Sequence, residues 1–251
     1  MLSLKNVTRY FGGLTALNCV NLEASAGQVT GLIGPNGAGK TTLINNISGL
    51  DHPNSGQIIF NGHEVQRMAP HRITALGLAR TYQNIRLFNE MTVLENVMIA
   101  QHFLGKSTLF HSLLQLPSHR KEERFIRQKS LDILEQFGLS HLQNELASNL
   151  SYGDQRRLEM ARALAADPKM VLLDEPTAGM NAVETEQLGE KILDMKAAGI
   201  AVLVVEHDMA LISQVCDIVY VLNFGEVLTV GTPDEIKRDP AVIEAYLGRD
   251  E

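Results

Sequence analysis

The sequence predicts an α/β fold built on a parallel sheet, with a helical subdomain inserted into it. Apolar, β-branched segments alternate with helix-patterned ones, a glycine-rich loop joins one such segment to a helix, and a second apolar segment ends in adjacent acids. The strand-like segments are Leu2 to Val7, Val29 to Ile33, Gln57 to Phe60, Met170 to Leu173, Ala201 to Val205, Ile218 to Asn223 and Glu226 to Val230. Val171 to Leu173 and Ala201 to Val205 are apolar throughout, as central strands covered on both faces are. Helix patterns run from Lys40 to Ser48, Gln155 to Ala166, Ala182 to Ala198 and Met209 to Val215. From Asn84 to Leu150 strand signals fade. Helical spacings appear instead at Val93, Leu94, Val97 and Met98, and again at Ile126, Leu131, Ile133, Leu134 and Phe137. This stretch, 84–150, is predicted to be the helical subdomain, leaving 1–83 and 151–251 as the core of a single domain. Its middle, Gly105 to Arg124, holds a proline, several serines and the basic run His119-Arg120-Lys121, and is expected to be a solvated loop or helix end.

A chain of 251 residues buries a core without staples. Its 22 basic and 29 acidic side chains give a net charge of -7, so there is no overall attraction to a nucleic acid backbone, and no nucleic acid partner is expected. The two cysteines, Cys19 and Cys216, have no partner at metal-ligand spacing, which fits a reduced chain without structural zinc. The N-terminus lacks the basic start and long apolar core of a secretory signal. The apolar stretch from Gly199 to Phe224 is interrupted by Glu206, His207, Asp208 and Asp217, too many charges for a bilayer span, so membrane association is expected only through a partner.

Gly34-Pro35-Asn36-Gly37-Ala38-Gly39-Lys40-Thr41 follows an apolar segment and opens a helix, which is the context a phosphate-binding loop requires. Glycines let successive N–H groups turn toward one anion, and the helix start adds positive potential. Lys40 is expected to reach the β and γ phosphates, Thr41 to complete a Mg²⁺ shell and Thr42 to support the α-phosphate. Asp174 and Glu175 close an apolar strand. Successive side chains alternate faces, so Asp174 can hold Mg²⁺ through water while Glu175 polarises an attacking water. Leu150-Ser151-Tyr152-Gly153-Asp154 opens a helix whose apolar face carries Leu158, Ala161, Leu164 and Ala165 and which ends at Asp167-Pro168. Ser151 is placed as its N-cap, and Gly153 is expected to leave N–H groups open to an anion.

Walker A, the LSYGD stretch and Walker B in this order resemble the ATP-binding-cassette ATPases, over nearly the whole chain. The resemblance implies a P-loop NTPase core of the ABC ATPase type, with an antiparallel β subdomain beside the inserted helical one. It implies ATP and Mg²⁺ as ligands and a head-to-tail dimer in which Ser151 and Gly153 of one copy close on a γ-phosphate held by the other. It also implies adenine stacking by Phe11, with Tyr10 as runner-up. Gln83 stands where the family senses Mg²⁺ and the attacking water, and His207 where the switch histidine contacts the γ-phosphate. Tyr152, Asp154 and Ala178-Gly179-Met180-Asn181 depart from the family pattern. Phe11 to Leu17, Arg80 to Phe88, Met91 to Asn96, Glu206 to Met209 and the end from Gly231 to Gly248 resemble the importer ATPases for branched-chain and other hydrophobic amino acids. That subgroup implies transmembrane permease subunits, a second ATPase subunit of the same or a related kind, an extracytoplasmic substrate-binding protein acting indirectly, and a place on the cytoplasmic side of the inner membrane. Related cassettes for urea, amides or lipopolysaccharide, and soluble non-transport ABC ATPases, are the alternatives.

Overall fold

The computed structural model describes residues 1–102 and 117–247. From the N-terminus come β1 (Leu2–Phe11), β2 (Leu14–Ala24), β3 (Val29–Ile33), α1 (Lys40–Ile47), β4 (Ser55–Phe60), β5 (His63–Glu64), α2 (Pro70–Ala75) and β6 (Leu78–Arg80). Then follow α3 (Val93–His102), α4 (Pro117–Gln136) and α5 (Tyr152–Ala165). The remainder is β7 (Met170–Asp174), α6 (Ala182–Ala197), β8 (Ala201–Val205), α7 (Met209–Val215), β9 (Ile218–Asn223), β10 (Glu226–Gly231), α8 (Pro233–Arg238) and α9 (Pro240–Leu247).

Two compact units result: Met1–Gln83 with Lys169–Glu251, and Asn84–Pro168. The first unit holds both sheets. One is antiparallel, in the order β2-β1-β4-β5, and the other runs β10-β9-β3-β8-β7-β6. β3 pairs in parallel with β8 and β9, and β7 with β6 and β8, while only β10 runs against its neighbour. β3, β7 and β8 are buried along their whole length, as unbroken apolar strands between covering layers must be. Leu4, Val20 and Leu22 of the antiparallel sheet share one core with Leu32, Leu203 and Leu222 of the parallel one and with Leu43, Ile44 and Ile47 of α1. β3 is thereby fixed at the centre, and the loop leaving its end is held on a rigid strand.

In the second unit α3, α4 and α5 pack on one another, burying Val93, Leu94, Val97, Ile126, Ile133, Leu134 and Leu158. The boundary expected at Gln83 coincides with the division, whereas the second falls after Pro168 rather than at 150. The reason is α5, whose apolar face is spent on α3 and α4. Residues 117–124, expected as loop or helix end, form the first turns of α4, and residues 105–116 lie outside the described residues.

Candidate nucleotide-binding site

The loop from Gly34 to Gly39 turns out of β3 through three left-handed glycines, Gly34, Gly37 and Gly39, at φ 149°, 82° and 104°. At Gly34 a Cβ would lie 2.0 Å from the Leu222 carbonyl oxygen, and at Gly39 it would lie 2.6 Å from that of Ala16. Only glycine fits such close backbone approaches. Pro35, Asn36 and Ala38 complete the curve, and Ala38 is buried. The Gly225 N–H of the β9–β10 turn donates to the Ala38 carbonyl at 2.9 Å, bracing the curve from outside. Thr41 is exposed and Thr42 half-buried in the first turn of α1.

Lys40 folds over the loop it follows. Its Nζ donates to the carbonyls of Gly34 at 2.6 Å and Pro35 at 3.0 Å. Burial lowers its pKa below the usual 10.5, while first Glu175 and then Asp174 pull it back up.

Asp174 ends β7, and its Oδ2 accepts from Arg80 Nη2 at 3.1 Å. Arg80 also donates to Asn45 Oδ1 and Ser48 Oγ at the far end of α1, at 2.9 and 2.7 Å. Glu175 follows with φ 48°, left-handed backbone that a glutamate adopts only at a cost of about 1–3 kcal/mol. Its Oε2 accepts from Gln83 Nε2 at 2.7 Å, so the structure brings these two predicted residues together. His207 follows β8 with its ring exposed, and Nδ1 lies 3.7 Å from Glu206 Oε2. Glu206, fully buried, accepts from the Thr177 hydroxyl at 2.6 Å and from the N–H groups of Thr177, His207 and Asp208 at 2.9, 3.0 and 3.3 Å. This carboxylate ties the loop after β7 to the loop after β8. Phe11 ends β1 at the surface with the Arg9 guanidinium 4.5 Å from its ring centre, and Tyr10 beside it is also exposed.

In the second unit Ser151 caps α5 as expected, accepting from the Asp154 N–H at 3.2 Å. Its hydroxyl donates to Asp154 Oδ2 at 2.6 Å, and the other carboxylate oxygen of Asp154 pairs with Arg157. The acid that departs from the family pattern is thus turned onto its own helix start. Gly153 is itself buried, so this helix start is less open than expected, while Tyr152 stands exposed with its hydroxyl accepting from Arg156. Asn181 also gains a reason: it caps α6 in a reciprocal capping box with Glu184.

Arg80, Glu206 and Thr177 had no assigned role in the sequence. For Arg80 and Glu206 the signal available was a charged residue at the end of an apolar segment, which is where a buried ion pair or acceptor is needed, while Thr177 carried no such signal.

A left-handed glycine cradle with its lysine, set at the end of a central parallel strand beside a strand-end acid pair, defines a P-loop nucleotide-binding cassette. Residues 17–178 match the ABC transporter family, and residues 226–251 match the branched-chain amino acid ATP-binding cassette transporter family. The chain is 43% identical over 249 residues to the high-affinity branched-chain amino acid transport ATP-binding protein LivG of Escherichia coli K12, covering 99% of this chain and 98% of that one. Among solved structures, the ADP conformation of an ATP-binding cassette of an ABC transporter superposes with a TM-score of 0.86 at 34% identity, covering 99% of each chain. A dimeric cassette bound to ADP and Pi matches with a TM-score of 0.78 at 27% identity, over 93% of this chain and 99% of that one. The chain belongs to the ABC transporter family and is an ATPase of that family.

Proposed function

We propose that this chain is the ATP-hydrolysing subunit of an importer for branched-chain or other hydrophobic amino acids. In this reading it works on the cytoplasmic face of the membrane beside transmembrane permease subunits, with a second ATPase subunit closing head to tail on shared ATP. An extracytoplasmic substrate-binding protein serves it indirectly. No helix among the described residues is long and apolar enough to cross a membrane, so its place there depends on partners.

The observation that carries the proposal is the left-handed glycine cradle with Lys40 folded over it, at the end of a central strand, together with the strand-end Glu175 held by Gln83. The loop amides and Lys40 bind the phosphates, and Phe11 offers a face to the adenine. Thr41, Gln83 and Asp174 offer hydroxyl, amide and single-carboxylate oxygens, a donor set that suits Mg²⁺. When bound, Mg²⁺ supplies charge neutralisation at the phosphate oxygens. Glu175 takes the proton of the attacking water, held in orientation by Gln83, and His207 reaches the γ-phosphate from the end of β8. Gln83 is the last residue of the first unit, so the group that orients Glu175 is joined directly to the chain entering the helical unit. The expected result of Glu175→Gln is a loss of Mg²⁺-dependent ATP turnover of about 10²–10⁴-fold with nucleotide binding kept, read by phosphate release and equilibrium binding. Equal turnover rates in the two proteins would reject Glu175 as the base.

A further inference from the structure

We propose that Tyr246 is a positioning residue for the phosphate loop, acting from α9 through a hydrogen bond to the loop's first residue. The inference rests on the nucleotide-site reading above and deepens it. The Gly34 N–H donates to the Tyr246 hydroxyl oxygen at 2.8 Å, joining residues 212 positions apart in the chain. Three constraints meet at Gly34. The Leu222 backbone crowds it from β9, the Tyr246 hydroxyl takes its N–H, and Lys40 Nζ sits on its carbonyl at 2.6 Å.

The crest of the loop has far less behind it. Pro35, Asn36, Gly37 and Ala38 border a cavity of about 740 Å³ whose walls include Ala241, Glu244 and Ala245 of α9. On that side little steric packing holds the exposed crest at Asn36 and Gly37, so point contacts at the loop's two ends matter more. The Gly225 N–H fixes its far end through Ala38, and Tyr246 fixes its start. The helix that carries the tyrosine is itself anchored, because Ile236 and Val242 are buried and Thr232 and Glu235 form a capping box on α8. Burial raises the Tyr246 pKa above the usual 10, against the smaller opposite effect of the Gly34 N–H, so the oxygen is a neutral acceptor throughout the physiological range.

The Ile33–Gly34 peptide plane sets where the loop begins to curve, and so where Lys40 rests. Without the hydroxyl that plane is freer, a smaller fraction of molecules is ready to bind, and the apparent dissociation constant rises in proportion. Losing one neutral hydrogen bond corresponds to about 2- to 10-fold.

Tyr246→Phe in the full chain keeps the ring and removes only the hydroxyl. The expected result is an ADP·Mg²⁺ dissociation constant and an ATP KM raised about 2- to 10-fold, with kcat within about twofold of the parent protein and a nucleotide-free melting temperature lowered by no more than about 2–4 °C. Faster hydrogen exchange at the Gly34 amide is expected alongside. Unchanged affinity and KM, or a fall in melting temperature with no change in affinity, would overturn the proposal and leave Tyr246 as packing alone. A parent protein that bound no nucleotide would instead sink the site reading, and this inference with it.

Discussion

Asp174 shows how much the site asks of single residues. The carboxylate proposed to serve a divalent cation is already held by Arg80 at 3.1 Å, with side-chain exposures of 9% and 7% for the acid and the arginine. Taking two charges out of water costs several kcal/mol each, and only their mutual attraction and further hydrogen bonds offset it. Arg80 finds those bonds at Asn45 and Ser48, so one guanidinium fastens the end of β7 to the end of α1. Arg80→Gln keeps some hydrogen bonding but leaves the buried acid without a counter-charge. It is expected to lower unfolding stability by about 3–5 kcal/mol in urea titration, and a loss below about 1 kcal/mol would show that the pair is not needed. Glu175 is a different case, since its left-handed backbone is tolerated only because its neighbours hold it. Its N–H bonds the Val205 carbonyl at 2.9 Å and its side chain takes the Gln83 amide, so the strained residue is pinned at both ends.

Among the elements, the short helices near the C-terminus owe their start to capping. Glu235 accepts from the Thr232 N–H at 2.7 Å and from its hydroxyl at 2.9 Å, and these bonds, the N–H being the larger cause, hold its carboxyl below the usual 4.5. A carboxyl whose folded pKa is depressed contributes stability that is fully present above pH 4.5 and lost as pH falls through the lower folded value. Parent and Glu235→Gln proteins should therefore differ in melting temperature at pH 7, with the gap closing in acid below 4.5. A gap that stayed constant with pH would contradict the capping role. The elements most legible in the sequence were those with a single environment. β3, β8, β9 and α7 begin and end where the apolar runs do, because a strand or helix face buried throughout leaves no ambiguity in its pattern. β2 was missed although, at 11 residues, it is the longest strand among the described residues. Cys19 sits at φ 49° within it, breaking the alternation between buried Leu17 and buried Val20, so a period of two survives only over the five residues from Val20 to Ala24. β6 has only three residues and is defined by its partner β7, and the six-residue α8 is defined by its caps, so neither leaves a periodic trace. Glycine cradle, acid pair and helix cap were readable because each is a local spacing. Arg80, Glu206 and Tyr246 were not, since their partners are 94, 29 and 212 residues away.

At the scale of the whole molecule, the glycine cradle belongs to one compact unit and the Ser151 helix start to the other. The proposed assembly joins the cradle of one protomer to that helix start on a second, with ATP as the shared ligand, so nucleotide binding favours the dimer by mass action. Asp154 bears directly on this. In the free protomer its carboxylate takes the Ser151 hydroxyl at 2.6 Å, and that hydroxyl must be released before it can meet a phosphate. A negative charge near the incoming phosphate also opposes closure. Asp154→Gln is accordingly expected to strengthen ATP-dependent dimerisation when turnover is blocked by Glu175→Gln, and an unchanged or weaker dimer would count against it. The most direct test of the central claim is the mass of the Glu175→Gln protein by light scattering as ATP·Mg²⁺ is added. The account predicts a rise from 27.6 kDa toward twice that value, absent when Lys40→Ala is added. A protein that bound ATP and stayed at the protomer mass would contradict it.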